Sequence, residues 1–147
     1  MKYYSESGLE ILYGTEHSAG LDLPYYDQNV EKVVIEPGER VKLPTGVYLE
    51  MPENHVGIMD NRSSTSKLKL DLLCRVIDCD FRGNIHIVYI NNGSEKVVVN
   101  RGDYLAQIVI VPYMKMSLEM VDSPGMLSKT DRGSNGFGHT TMKREVI

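Results

Sequence analysis

The sequence predicts an all-β domain built as a sandwich, a jelly roll or a barrel. Turn-forming residues recur about every ten positions, at residues 27–29, 36–38, 43–46, 51–54 and 91–93. Short runs rich in β-branched and other apolar residues lie between these turns. Evenly spaced short strands of this kind are typical of the three architectures.

The strands follow from these runs in chain order. Residues 32–35, 46–51 and 95–99 are short, apolar and bounded by turns, so each is predicted to be a strand. Residues 84–90 add a strand in which Ile85, Ile87 and Tyr89 share one face, because successive side chains alternate. Residues 105–111 are almost continuously apolar, which predicts a strand covered on both faces.

Residues 64–73 leave two interpretations open. They could form a helix with Ser63 or Ser64 as its N-cap and the leucines as its apolar positions. The alternation from Lys67 onward fits a strand about as well. Further on, Arg101, Gly102 and Asp103 precede the strand at 105–111 and are most simply a turn.

Length and composition narrow the class of protein. The chain has 147 residues, 41% hydrophobic and 24% charged, which predicts one globular domain. The net charge of −4 argues against stable nucleic-acid binding and against binding to anionic membranes. No apolar run reaches the ~20 residues of a membrane helix, and no secretory leader is expected at the start.

The cysteines and the chain end add two expectations. With only Cys74 and Cys79, a disulfide framework is not expected, so the prediction is a reduced protein in the cytoplasm or inside a host cell, with the nucleus possible. Residues 128–147 are polar and glycine-containing without a strand pattern, which predicts a flexible arm after a domain of residues 1–127.

Two segments in the first half of the chain combine charge with small or hydroxyl-bearing residues. Asp22 follows Ala19 and Gly20, which allow close backbone approach, so it could hold a hydrated cation or simply end a strand in solvent. Arg62 and the hydroxyl-rich residues 63–66 could bind an anion, because a guanidinium fork matches phosphate. The alternative is an ordinary capped turn with a surface arginine.

Two further segments lie in the second half. Asp78 follows apolar Val76 and Ile77, so it could be a partly desolvated base, although a hairpin turn closed by Gly83 is the simpler interpretation because Asp is common in turns. Residues 132–141 place one Arg and one Phe on a glycine-containing segment. This segment could close over a ligand with the aromatic ring on a base, or it could be a disordered tail.

In this order, the segments resemble the five motifs of the trimeric deoxyuridine triphosphatases (dUTPases). The matching stretches are Ala-Gly-Leu-Asp-Leu at 19–23, Arg-Ser-Ser at 62–64, Ile-Asp through Arg-Gly at 77–83, Arg-Gly-Asp-Tyr-Leu-Ala-Gln at 101–107, and Arg-Gly through Gly-Phe-Gly and Thr at 132–140. Each motif alone is weak, whereas five in order over nearly the whole chain are specific.

The resemblance implies a jelly-roll-like β-barrel subunit in a homotrimer. Three active sites would lie at subunit interfaces, each closed by the C-terminal arm of another subunit. The implied reaction is Mg²⁺-dependent hydrolysis of dUTP to dUMP and pyrophosphate, which lowers dUTP and supplies dUMP for thymidylate synthesis.

The resemblance also implies roles for individual residues. Asp78 would orient and deprotonate the attacking water, and Asp22 would hold magnesium-bound water while the metal sits on the triphosphate. Arg62 and Ser63 would contact phosphates, with Ser63 near the bridge between the α- and β-phosphates. The other implied substrate contacts are Ser64, Arg75, Val76, Ile77, Phe81, Gln107, Arg132, Gly136, Phe137, Gly138, His139 and Thr140.

Within that set, Gln107 and Ser64 would bind phosphates, Phe137 would cover the uracil, and Arg132 and Thr140 would bind the γ-phosphate.

Several positions depart from the family pattern. Phe81 stands in place of a tyrosine that packs on deoxyribose, which keeps the ring and loses the hydroxyl.

The other departures bear on the base and the phosphates. Arg75 replaces a glycine whose backbone faces the base, so its side chain could enter the pocket or point outward. Asn61 replaces a proline before Arg62, and within the arm Asn135, His139 and Thr141 replace a glycine, a serine and a glycine. These departures leave two alternatives open: a regulatory homologue with a protein partner and weak turnover, or a pyrophosphatase for another deoxynucleotide.

Overall fold

The computed structural model describes residues 1–135, and strands form nearly all of the regular secondary structure in these residues. In that part of the chain the strands are β1 (Lys2–Ser5), β2 (Leu21–Pro24), β3 (Lys32–Ile35), β4 (Arg40–Pro44), β5 (Val47–Glu50), β6 (His55–Asn61), β7 (Leu70–Leu72), β8 (Val76–Asp78), β9 (His86–Asn91), β10 (Val97–Asn100) and β11 (Tyr104–Pro112). One short helix, α1 (Ser63–Ser66), follows β6. The all-β prediction is confirmed, and every run predicted as a strand contains one.

All of the strand pairs are antiparallel. The four sheets have the orders β1-β5, β10-β3, β2-β11-β6-β8 and β4-β9-β7. The four-stranded sheet positions most of the predicted site. In its register Gln107 lies between Asp22 on β2 and Asp60 on β6, whereas Asp78 on β8 lies opposite Val56.

The core is formed by the inward faces of these strands. Ile85, Ile87 and Tyr89 are each at most 1% exposed, which confirms the face predicted from their alternation. Leu23, Ile35, Met59 and Ile108 are likewise fully buried. The turn at 101–103 is also confirmed, since Gly102 has φ +92° and the Asp103 carboxylate accepts from the Asn100 N–H.

Two predictions about elements need correction. On β11 one face is buried, but Gln107 and Val109 on the other face are only partly buried, because they line a cavity. The two interpretations of residues 64–73 each hold in part: a helix of four residues is followed by a strand that begins at Leu70, not Lys67.

The predicted N-cap of this helix is wrong. Arg62 occupies the N-cap position with extended backbone, and no side chain caps the helix. The N–H groups of Thr65 and Ser66 donate instead to the Arg62 carbonyl oxygen. The Ser63 and Ser64 side chains remain exposed.

The chain divides into two compact units, Met1–Lys115 and Met116–Ile147. Within the described part of the second unit, a single 3₁₀ turn spans Pro124–Met126. The flexibility predicted for residues 128–147 stays a prediction. Across residues 1–135, no helix is long and apolar enough to cross a membrane.

Candidate active site

A cavity of about 640 Å³ brings together five predicted site residues, and we call it cavity I. Asp22, Arg62, Ser63, Ser64 and Gln107 line it together with the small residues Gly14, Ser18, Ala19 and Gly20 and with Val109. The five come from three parts of the chain: β2, the β6–α1 junction and β11. The antiparallel register of β2, β11 and β6 is what places them side by side.

Arg62 and Asp22 form a two-point ion pair inside cavity I. Arg62 donates from Nε to Asp22 Oδ1 and from Nη2 to Asp22 Oδ2, both at 2.9 Å, and from Nη1 to the Tyr104 carbonyl oxygen at 2.9 Å. The guanidinium also stacks 5.9 Å from the centre of the Tyr104 ring. Two of its five N–H bonds therefore remain without a partner in residues 1–135, which is enough for an anion.

Gln107 is fixed by a close approach to Gly20. Its Nε2 donates to the Asn61 carbonyl oxygen at 3.0 Å. A Cβ atom at Gly20 would lie 2.3 Å from Gln107 Oε1, so only glycine leaves room for the amide in this position. The small residues before Asp22 were predicted to allow a close approach, and the group that approaches is Gln107.

Asn61 connects the end of β6 to the start of β7. Its Nδ2 donates to the Leu70 carbonyl oxygen at 2.8 Å, a bond that the family's usual proline cannot make. Its Oδ1 is buried and finds no hydrogen-bond partner in residues 1–135. Asn61 therefore closes the loop that carries α1 while leaving one acceptor unsatisfied.

The Leu105 carbonyl oxygen of β11 anchors α1. Thr65 Oγ1 donates to the Leu105 carbonyl oxygen at 2.6 Å, and Tyr89 Oη donates to the same oxygen at 2.9 Å. Burial raises the pKa of Tyr89 well above its ordinary value of 10.0, and the Asp60 charge adds to this. Tyr89 thus stays neutral and remains a hydrogen-bond donor.

A second cavity, of about 250 Å³, holds the third motif, and we call it cavity II. It is lined by Val76, Ile77, Asp78 and Phe81 from the motif, and also by Lys42, Cys74, Asn84, His86 and Val88. Its walls are mainly apolar, with Asp78 and a few other polar groups among them. Asp78 is exposed in this chain, which matches the alternative of a solvent-exposed turn rather than the partly desolvated carboxylate.

Phe81 has a position that depends on glycine. Its ring packs over Gly83, where a Cβ atom would lie 2.6 Å from Phe81 Cζ. The Phe81 N–H donates to the Asp78 carbonyl oxygen at 3.1 Å, which closes the predicted turn. Asp78 and Phe81 are thereby held on the same side of cavity II.

Arg75 points away from cavity II. Its Nη2 lies 2.9 Å from Asp60 Oδ2, and its Nε donates to the Met59 carbonyl oxygen at 3.2 Å. Both partners lie on β6, and Arg75 is not among the residues that line cavity II. Of the two orientations left open from the sequence, the outward one is observed, so the side chain does not block the pocket.

The two cavities are well separated within one chain. Asp78 lies opposite Val56 on β6, whereas Arg62 follows the end of the same strand. The six residue-to-residue steps from Val56 to Arg62 correspond to about 20 Å at ~3.3 Å per residue. Asp78 therefore cannot act on a group held by Arg62 of the same chain.

Only the beginning of the fifth motif lies within the described residues. Arg132 lies in the described part, and its Nε donates to the Asn135 carbonyl oxygen at 2.9 Å. Gly136, Phe137, Gly138, His139 and Thr140 lie outside the described residues. Their predicted contacts with uracil and phosphate stay predictions.

Sequence reasoning missed what several residues contribute to these cavities, although Thr65 and Tyr104 lie in segments that it named. The Tyr104 carbonyl oxygen accepts from Arg62, and the Thr65 hydroxyl attaches α1 to β11. Lys42 and His86 line cavity II. The alternation of residues 84–90 places His86 on the face opposite Ile87, which was the available signal for an outward side chain. Lys42 reaches cavity II because β4 pairs with β9, and no local pattern in the sequence predicts that pairing.

Comparison with known proteins gives a consistent match. Residues 9–141 match the family model for dUTPase. The deoxyuridine 5'-triphosphate nucleotidohydrolase of Syntrophotalea carbinolica is 40% identical over 131 residues, covering 87% of this chain and 86% of that protein. The protein of the same name from Hydrogenobaculum is 38% identical over 146 residues, covering 97% of each chain.

Solved structures agree with the sequence match. A mutant of Staphylococcus bacteriophage 80alpha dUTPase solved with dUpNHpp has a TM-score of 0.79 at 25% identity, covering 94% of this chain and 96% of that one. A mutant dUTPase of phage phi11, described with a structural Mg(II) ion, has a TM-score of 0.71 at 27% identity, covering 83% and 96%. With motifs, strand arrangement and relatives in agreement, this chain belongs to the dUTPase family.

Proposed function

We propose that this protein hydrolyses dUTP to dUMP and pyrophosphate. The observation that carries the proposal is cavity I, where Arg62, two serine hydroxyls and Gln107 converge beside a carboxylate. In a chain of the dUTPase family, such a set of donors suits a triphosphate. The apolar cavity II, with Asp78 at its side and the Phe81 ring beside it, suits a deoxynucleoside.

The proposed active site combines two subunits of a homotrimer. Cavity I of one chain and Asp78 of the same chain lie too far apart to share a substrate. A symmetric oligomer can bring cavity II of one subunit to cavity I of its neighbour, because each subunit then gives one half-site and receives the other. The C-terminal arm, with Arg132 and Phe137, is proposed to close this composite site.

The proposed mechanism uses Asp78 as the general base. Its carboxylate accepts a proton from the attacking water and orients that water toward the α-phosphate. A positioned base contributes about 10²–10⁴-fold to the rate. The remaining Arg62 N–H bonds, with the Ser63 and Ser64 hydroxyls, stabilise charge on the phosphates as the bond to the leaving pyrophosphate breaks.

Magnesium fits this site as a partner of the substrate. Asp22 is the carboxylate among the residues that line cavity I, and residues 1–135 contain no group of three or more His, Cys, Asp or Glu that could hold a metal ion. Mg²⁺ commonly keeps several waters and binds through one or two carboxylates plus substrate phosphates. Asp22 could hold such waters, and the bound ion would supply positive charge to the triphosphate.

Release of pyrophosphate tests the proposal directly. With Mg²⁺, we expect fast release from dUTP and slow release from dTTP, dCTP, dATP and UTP. Release from another deoxynucleotide alone would keep the mechanism and reassign the substrate. No release from any of the five by a folded trimer would contradict the proposed function.

Replacing Asp78 tests its role as the base. In Asp78→Asn we expect kcat to fall about 10²–10⁴-fold, because the amide cannot accept the proton, while binding of dUpNHpp changes little. Asp80→Asn is the matched control, since Asp80 is an exposed acid in the same turn. Wild-type turnover in Asp78→Asn would remove Asp78 from this role.

A second candidate function is regulation through a protein partner. The observation that favours it is the similarity to the dUTPase of phage 80alpha, since phage dUTPases are described as controlling transfer of virulence genes by a G protein-like mechanism. Pull-down from host lysate with and without dUpNHpp distinguishes the two functions. A nucleotide-sensitive partner together with weak hydrolysis would favour regulation.

A further inference from the structure

His86 lies on the outward face of β9 and lines cavity II. Its neighbours Ile87 and Tyr89 are buried in the core, whereas His86 and Val88 alternate to the opposite side. There His86 shares the cavity with Phe81 and Asp78. No motif of the sequence analysis includes His86, and the proposed mechanism does not use it.

The hydrogen bond to Asn84 assigns the tautomer of His86. Its Nδ1 lies 2.8 Å from the Asn84 carbonyl oxygen. Because a carbonyl oxygen only accepts, Nδ1 carries the hydrogen, and Nε2 of the neutral ring is a hydrogen-bond acceptor. Nε2 has no hydrogen-bond partner in residues 1–135.

Asn84 is itself held in place, which fixes the imidazole. Asn84 Oδ1 accepts from the Gly46 N–H at 3.1 Å and from the Thr45 N–H at 3.3 Å. The ring is therefore attached to the turn between β4 and β5 through Asn84. A side chain oriented in this way can discriminate between ligands, because its acceptor has little freedom to adapt.

The acceptor at Nε2 matches one edge of uracil. Uracil presents an imino N–H between two carbonyl oxygens, whereas cytosine presents an unprotonated ring nitrogen and an amino group at the corresponding edge. An acceptor pairs with the first and opposes the second. Val76, Ile77 and Val88 are apolar and supply no such discrimination, and among the polar lining side chains Asp78 is already assigned to the attacking water and the Asn84 amide oxygen to the Thr45 and Gly46 N–H groups.

We propose that His86 is a specificity-determining residue that accepts a hydrogen bond from the imino N–H of the uracil ring. The proposal rests on the proposed hydrolysis of dUTP and adds how this chain selects the base. It is also compatible with Arg75 in place of a glycine, because the Arg75 side chain is bound to Asp60 and Met59 on β6 and leaves cavity II open.

The proposal predicts a pH-dependent selectivity. A second proton on the imidazole converts Nε2 from an acceptor into a donor, which opposes the imino N–H of uracil. Lys42 from β4, Cys74 before β8 and Asp78 on β8 also line the cavity, so the effect of His86 is the difference between wild-type and variant profiles.

The experiment compares kcat and KM for dUTP and dCTP at pH 7.5 and pH 5.5. In His86→Ala at pH 7.5 we expect the ratio of kcat/KM for dUTP to that for dCTP to fall about tenfold, as loss of one hydrogen bond predicts. The change should lie mainly in KM for dUTP. His86→Gln, which keeps an acceptor, should recover part of the ratio.

The comparison between the two pH values has its own expected result. The wild-type ratio should fall several-fold from pH 7.5 to 5.5, whereas the ratio in His86→Ala should stay nearly constant. His55→Ala is the matched control, because His55 Nδ1 also lies 2.9 Å from a carbonyl oxygen two residues earlier and His55 is not among the residues that line cavity II. It should behave as wild type.

Titration with dUpNHpp adds a readout independent of turnover. We expect weaker binding to His86→Ala than to wild type at pH 7.5, and this advantage of wild type should shrink or reverse at pH 5.5. A His86→Ala protein with the wild-type ratio and the wild-type pH profile would overturn the role of His86 alone. A folded wild-type protein that neither binds dUpNHpp nor hydrolyses dUTP would overturn the proposed function, and this inference with it.

Discussion

At the residue scale, the shape of cavity I depends on the contact between Gln107 and Gly20, which leaves no space for a Cβ atom at position 20. Gln107 keeps its amide against the Gly20 backbone and its Nε2 on the Asn61 carbonyl oxygen. The amide can approach only because Gly20 has no Cβ atom. The same pair lies beside Asp22, so a shift of Gln107 would alter the cavity where the phosphates are proposed to bind.

Gly20→Ala should therefore cost more activity than stability. The added Cβ would lie 2.3 Å from Gln107 Oε1 and 3.1 Å from Gln107 Cβ, so the side chain must move. We expect kcat/KM for dUTP to fall about 10²-fold, the scale of a misplacement of about 1 Å. The thermal midpoint should fall by only a few degrees, because the end of a flexible side chain can shift.

Gly14→Ala is the control for this variant. Gly14 also lines cavity I, but its added Cβ would meet only Ser18 Oγ at 3.6 Å, an ordinary contact. Its kinetics should match those of wild type. Equal losses in the two variants would mean that Gln107 is not the cause.

At the element scale, α1 is too short to be stable by itself and is held by its attachments to β11. Two successive carbonyl oxygens of β11 accept from the loop: Tyr104 from Arg62 Nη1 and Leu105 from Thr65 Oγ1. A helix of four residues gains little from its own hydrogen bonds. Its place beside cavity I therefore depends on these two contacts.

Thr65→Val should loosen α1 without changing the shape of the core. The valine fills the same volume but cannot donate to the Leu105 carbonyl oxygen, which keeps its bond from Tyr89. We expect a loss of about 1–2 kcal/mol in the free energy of unfolding, measured by urea denaturation, and a raised KM for dUTP.

Ser66→Ala is the comparison variant for Thr65→Val. Ser66 Oγ donates to the Ser63 carbonyl oxygen at the exposed surface, so its loss should have little effect on either measurement. A Thr65→Val protein as stable as wild type would show that the contact with Leu105 is not what anchors the helix.

At the scale of the whole molecule, one chain carries two separate cavities, each of which is proposed to be half of an active site. Cavity I is formed by β2, β11 and the β6–α1 junction, and cavity II by β8, β9 and β4. They are joined by β6, whose length keeps Asp78 away from Arg62. Activity in the proposed trimer therefore requires contact between subunits.

Mixing two inactive variants tests this composite site. Asp78→Asn removes the base from cavity II, and the double variant Ser63→Ala/Ser64→Ala removes exposed hydroxyls from cavity I. Co-refolded in equal amounts, the two should form hybrid trimers in which about a quarter of the interfaces carry both intact half-sites. Pyrophosphate release should then rise to about that fraction of the wild-type rate.

The control for the mixing experiment is each variant refolded alone, which should stay inactive. A mixture no more active than the mean of its two parents would place the complete site within one chain. Such a result would contradict the proposed assembly while leaving the chemistry assigned to Asp78 unchanged.

The sequence by itself determined the features that depend on neighbouring residues. The strand at 86–91 and its buried face follow from alternation, and the turn at 101–103 follows from the preferences of Gly and Asp. The five motifs also fixed the family, because the order of residues along the chain is all that a motif requires. Arg62, Ser63, Ser64, Gln107 and Asp22 were named from the sequence, and they do share a cavity.

Only the tertiary structure decided which residues meet across the sheets. Asp22 and Arg62 are 40 positions apart, and their ion pair exists because β2, β11 and β6 pair in one particular register. The separation of Asp78 from Arg62, the outward direction of Arg75 and the place of His86 in cavity II have the same origin. These strands are far apart in the chain, so no tight turn fixes their register, which depends instead on burying the apolar face of every strand in one core.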